Sequence, residues 1–103
     1  MTDRWEKNEK YEIELIVPLG IRYGTMQFEE DSGTINGTMN ILGKTTEFSG
    51  LLKDRKMIIS GELDIRIRTI AYIGYGTLED GRLHMQIKNQ GKTYELTGHK
   101  KVE

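Results

Sequence analysis

Few residues in this 103-residue chain have the types and spacing that chemistry asks for, and each such group has an ordinary reading beside it. Glu47 and Glu95 stand at matching places in two similar segments, as a pair of carboxylates working as general acid and base would. Alternation puts both on the face opposite Phe48 and Leu96, among Thr45, Ser49, Thr93 and Thr97, where they read as solvated surface. His84 and His99 are the only histidines, and imidazole both titrates near neutrality and ligates metals. They alternate outward beside Gln86 and Thr97 without a carboxylate cluster at metal-ligand spacing, so no metal site is expected. Arg66 and Arg68 share a face with Ile70 and Tyr72 if their strand starts early, and guanidinium groups there would grip an anionic head group bidentately. If residues 64–68 instead reverse the chain, both arginines point to water.

Other chemistries lack their residues. With no Cys there is no disulfide, thiol nucleophile or thiolate metal site. Glycines stand singly at turns and strand ends, and Gly74-Tyr75-Gly76 lies within a strand rather than before a helix, so no phosphate-cradling loop is present. No Gly-x-Ser-x-Gly elbow occurs. The expectation is a protein without cofactor, leaning away from catalysis.

Composition bounds the class. The chain is long enough for one compact core, and 30% charged with 36% hydrophobic residues describes an ordinary folded domain. A net charge of −1 argues against a general nucleic-acid or membrane-surface binder. Neither a signal peptide nor a run long enough to span a membrane is visible, so the default expectation is a cytoplasmic protein.

The chain alternates with period two almost throughout, the mark of half-buried strands. Residues 1–10, polar around Trp5, read as an arm; residues 11–103 read as one domain. Strands are expected at about 11–17, 21–29, 34–41, 44–51, 57–63, 69–78, 82–88 and 92–99. Pro18-Leu19-Gly20, Glu30-Asp31-Ser32-Gly33, Leu42-Gly43, Asp80-Gly81 and Gln90-Gly91 supply turn chemistry between them, and Lys53-Asp54-Arg55 a polar bridge. Tight turns between so many strands leave an all-β, closed eight-stranded antiparallel up-and-down barrel as the expected fold. A two-sheet sandwich needs longer connections.

One stretch occurs twice. Gly43-Lys44-Thr45-Thr46-Glu47-Phe48-Ser49-Gly50 returns as Gly91-Lys92-Thr93-Tyr94-Glu95-Leu96-Thr97-Gly98, with Tyr23-Gly24-Thr25 and Tyr75-Gly76-Thr77 before each copy. The reading is a four-strand unit used twice, with chance likeness of Gly- and Thr-rich strands as the alternative. It predicts that Met39 pairs with Thr46 and Gly37 with Phe48 about a Leu42-Gly43 turn. Ile87 then pairs with Tyr94 and Met85 with Leu96, and Phe48 faces inward over Gly37. A Val at Gly37 would clash with that ring.

Val17-Pro18-Leu19-Gly20, Tyr23-Gly24-Thr25, Leu42-Gly43-Lys44 with Phe48-Ser49-Gly50, and Ser60-Gly61-Glu62-Leu63 resemble motifs of small bacterial β-barrel modules. These in turn resemble the lipocalin and avidin group of eight-stranded barrels. Asp64-Ile65-Arg66-Ile67-Arg68 departs from the pattern where a second Pro-Leu-Gly turn would stand, and Trp5 has no Gly two residues before it. The resemblance implies a barrel with a possible cavity and names no ligand.

The first functional expectation is a non-catalytic binding module whose interior takes a small apolar or amphipathic ligand. Its lining would be Leu15, Met26, Phe28, Met39, Phe48, Tyr72, Met85, Tyr94 and Leu96, with Arg66 and Arg68 at the mouth. The second is an interaction module with a filled core. Ile16, Ile70, Ile73 and Tyr75 are more apolar groups than one inner face holds, and an outward strip of Ile73, Tyr23 and Tyr75 suggests a contact between barrels or simple exposure. A homodimer through the sixth strand (Ile73, Tyr75) is expected. An enzyme using the mouth arginines and a tyrosine ranks third.

Overall fold

The computed structural model describes residues 9–65 and 68–101. They form β1 (Glu9–Val17), β2 (Gly20–Asp31), β3 (Thr34–Ile41), β4 (Lys44–Lys53), β5 (Lys56–Ile65), β6 (Arg68–Glu79), β7 (Arg82–Asn89) and β8 (Lys92–Lys100). Each pairs antiparallel with the next, and β8 returns to β1, closing the barrel. Closure pairs Ile13 with Gly98 and Leu15 with Leu96, so none of the described strands is left as an edge to invite another strand. Trp5 and most of the expected arm lie outside the described residues, and β1 already begins at Glu9.

Two-residue turns set the register. Ser32-Gly33, Leu42-Gly43, Asp54-Arg55, Asp80-Gly81 and Gln90-Gly91 all have positive φ at both positions, the conformation whose twist matches that of paired strands. Leu42 adopts a φ of 57° although its side chain disfavours it, at about 1 kcal/mol. A three-residue loop would slip the pairing by one and turn Phe48 outward. The pairs are Met39 with Thr46 and Gly37 with Phe48, and Ile87 with Tyr94 and Met85 with Leu96, as the repeated stretch predicts. β5 and β6 run further than the sequence suggests. Asp64 pairs with Thr69 and Ile65 with Arg68, and Thr69 Oγ1 donates to Asp64 Oδ1. Residues 64, 65 and 68 of the expected reversal over 64–68 are therefore paired strand residues, and 66–67 lie outside the described residues.

Inside, bulky and bare positions alternate over most of three rows across the barrel. One row runs Phe28, Gly37, Phe48, Gly61, Tyr72 over β2 to β6. A second runs Ile35, Gly50, Ile59, Gly74, Ile87, Tyr94 over β3 to β8. A third joins Leu83, Gly98, Ile13, Gly24 and Ile41, and Gly76 stands between Met57 and Met85. At all of these glycines but Gly74, where only side-chain ends come near, a neighbouring strand's backbone lies within 3 Å of where a Cβ would stand. A Cβ on Gly37 would come 2.6 Å from Phe28 Cβ, and one on Gly50 2.7 Å from Ile59 Cα. The obstacle to a side chain at Gly37 is therefore β2, at Phe28 and the Gln27 carbonyl, and not the Phe48 ring that the sequence reading expected.

Gly37→Val should lower folding stability by about 3 kcal/mol, the upper part of the usual overpacking range, seen as a lower urea midpoint. Gly43→Asn, with open space around it and a φ that Asn tolerates, should leave the midpoint nearly unchanged. An unaltered midpoint for Gly37→Val would mean that the strands do not approach so closely.

Candidate functional site

The residues expected to line a ligand cavity do converge inside the barrel. Met26, Phe28, Met39, Phe48, Tyr72 and Met85 are all buried. Tyr94 is half-buried and packs against them from the end of the interior that carries the Leu42-Gly43 and Gln90-Gly91 turns. Tyr11 stacks on Phe28 with ring centroids 5.7 Å apart, and Phe28 meets Phe48 edge-on at 6.5 Å, both favourable geometries for aromatic pairs. Arg68 opens β6 opposite Ile65, and Arg66 lies outside the described residues. The interior set is deeply buried: Met39, Ile87 and Leu96 have no exposed surface at all. Grooves of several hundred Å³ formed by the described residues lie on the outer wall.

Two phenols interrupt this apolar interior. Tyr11 Oη donates to Glu9 Oε1 at 2.8 Å at the barrel's rim. Tyr72 Oη is buried without a hydrogen-bond partner among the described residues. Buried polar groups are rarely left so, and an unmade hydrogen bond there costs about 1–3 kcal/mol. Burial alone pushes the Tyr72 phenol well above its ordinary value; for Tyr11, burial comes first and the Glu9 carboxylate adds to it. Both stay protonated where a free phenol would ionise, so neither is a ready base.

On the outer wall each histidine has one carboxylate beside it. His84 Nε2 lies 3.2 Å from Glu95 Oε1, and His99 Nε2 lies 3.4 Å from Glu12 Oε1. Glu95 reaches His84 across the β7–β8 hairpin, whereas Glu12 meets His99 only through the pairing of β1 with β8 that closes the barrel. His84, His99 and Glu12, but not Glu95, line an open groove of about 630 Å³ with Arg82, Glu14 and Thr97. All four side chains of these two pairs are more than half exposed, so each pair is worth well under about 1 kcal/mol. Among the described residues no group of three or more His, Asp or Glu is placed to hold a metal. Glu47 is exposed too.

A second outer feature is apolar. Leu51 pairs with Ile58 and Ile58 with Tyr75, giving a cross-strand row on β4, β5 and β6, with Ile73 one step along. All four are exposed, and Lys88 lies over the Tyr75 ring at 5.4 Å. Of the surplus apolar groups named from sequence, Ile70 is instead buried in the core, whereas Ile16, Ile73 and Tyr75 do face out. Leu51 and Ile58 went unnoticed, although strict alternation against Met57 and Ile59 already puts Ile58 outside.

Among the described residues no helix is long and apolar enough to cross a membrane. Compared with protein-family models, with curated proteins and with solved structures, the chain finds no match.

The phenols give a pH prediction. A folded-state value raised above the unfolded one means that the unfolded chain loses its protons first. Stability is therefore complete below about pH 10 and declines as pH rises above it. Tyr72→Phe should flatten that alkaline decline. At pH 7 it should leave the thermal midpoint unchanged or raise it, because it deletes an unpartnered hydroxyl. A clearly lowered midpoint at pH 7 would show that the hydroxyl does have a partner.

Proposed function

We propose that this protein is a non-catalytic interaction module: a closed barrel with a filled core that docks through its outer wall, first of all on another copy of itself. The observation that carries the reading is the exposed row Leu51–Ile58–Tyr75 with Ile73, set over an interior already occupied by side chains. Apolar groups inside are accounted for by packing. Contiguous apolar groups outside, rimmed by lysines, are the usual mark of a contact surface. The β6 residues Ile73 and Tyr75 sit within this patch, so the contact runs through the sixth strand. A cytoplasmic setting and an origin of the barrel in two similar halves belong to the same reading, the latter supported by the matching registers about Leu42-Gly43 and Gln90-Gly91.

A second reading, a small amphipathic ligand held in the interior, is favoured by one observation: the unpartnered Tyr72 hydroxyl would donate to it. It is also what a likeness to the lipocalin and avidin group implies. It requires the methionines Met26, Met39 and Met85 to shift and open a space, which unbranched side chains do more readily than others.

Light scattering at high micromolar concentration should give a mass above that of one chain. The double substitution Ile73→Lys with Tyr75→Lys should return it to one chain with little change in thermal midpoint, since both positions are exposed. A wild-type protein that stays monomeric throughout would sink the first reading. For the second, native mass spectrometry of the protein as purified should show an added mass that Tyr72→Phe loses; the bare chain mass would count against it.

A further inference from the structure

The outer wall carries a second apolar patch, and the two differ in the charge around them. On β1 and β2, Ile16 pairs with Ile21 and Glu14 with Tyr23, and Ile21, Tyr23 and Leu42 border one open groove with Arg22. Ile16, Ile21, Tyr23 and Leu42 are all exposed. Glu95 stands directly across from Ile16 on β8, so Glu14 and Glu95 flank this patch. The patch on β4 to β6 is bordered instead by lysines. Lys53 and Lys56 face each other directly across β4 and β5, and Lys88 pairs with Ile73. Like charges placed directly opposite one another destabilise a sheet, and among the described residues neither Lys53 nor Lys56 enters an ion pair. Asp54 at the edge of the basic patch and Arg22 at the edge of the acidic one reduce these charges without reversing them.

From this we infer that the β4–β6 wall of one copy docks on the β1–β2 wall of a second copy, head to tail. The inference rests on the reading that the outer wall is a contact surface, and it names the occupant of each patch. Patch against identical patch would bring lysines to lysines, or glutamates to glutamates, and like charges at an interface cost several kcal/mol. Basic patch against acidic patch sets Lys53, Lys56 and Lys88 opposite Glu14 and Glu95, with apolar side chains meeting between. In a closed ring of eight strands these walls lie on opposite sides, so one copy can use both at once. Such a heterologous contact continues into a ring or an open chain rather than stopping at two. Opposed charges at its rim make it weaker as salt rises.

Two variants test it. Ile58→Lys spoils the basic patch and leaves the acidic one; Ile21→Glu does the reverse. Sedimentation velocity at matched high micromolar concentration should find wild type larger than a dimer, and either variant alone as a single chain. A one-to-one mixture of the two should give a discrete pair, because each supplies the patch that the other lacks. Circular dichroism checks that both fold; if either does not, Leu51→Lys and Tyr23→Glu replace them. If Ile21→Glu remains a dimer while Ile58→Lys is monomeric, and mixing adds nothing, the contact is a symmetric one through β4–β6. That result overturns the head-to-tail inference and leaves the interaction reading standing. A wild type that is a single chain at every concentration overturns both.

Discussion

Everything in this barrel depends on how closely neighbouring strands come together at the inward glycines. At Gly37 and Gly50 the adjacent strand occupies the space a Cβ would need. Bare positions of this kind let a sheet bend sharply enough to close on itself. They also decide what fills the interior. Each is flanked across both neighbouring strands by large apolar groups, as Gly37 is by Phe28 and Phe48, or Gly74 by Ile59 and Ile87. The large groups lie over the bare backbone, so alternating sizes interlock in layers, as they must in a small barrel.

A core built this way has consequences for function. On the reading proposed above, the interlocking side chains leave little of the hollow that eight-stranded barrels can use for ligands. The one sign of unfinished business inside is the Tyr72 hydroxyl. In that interaction reading, recognition accordingly lies on the outer wall, where the strands present apolar rows that closure arranges but does not cover. Chemistry is thin there. The His84–Glu95 and His99–Glu12 pairs are exposed, while the Tyr11 and Tyr72 phenols of the interior are held protonated chiefly by burial.

Much of the fold was legible because period-two alternation and turn residues act locally. Leu42-Gly43 and Gln90-Gly91 fix the pairing of their hairpins, and the need to bury Phe48 chooses the two-residue turn over the bulged loop even at an unfavourable φ for Leu42. Closure of β1 on β8 followed from the absence of any other protection for their edges. What was not legible depends on relations across several strands. Gly37 pairs with Phe28 on one side and Phe48 on the other, and pairing alone does not tell that β2 is the strand that crowds it. His99 meets Glu12 only because closure sets the first strand beside the last. The row Leu51–Ile58–Tyr75 spans three strands, so alternation shows each member facing out without showing that they are neighbours.

Whether the interior is filled is the point from which the functional reading follows, and xenon reports on it directly. Apolar cavities large enough for a ligand take up xenon, whereas a packed core has no place for it. Crystals of the protein held under xenon pressure should show no bound atom among Met26, Met39, Phe48 and Met85. An ordered xenon site within that group would contradict the filled core and return the ligand to the centre of the barrel.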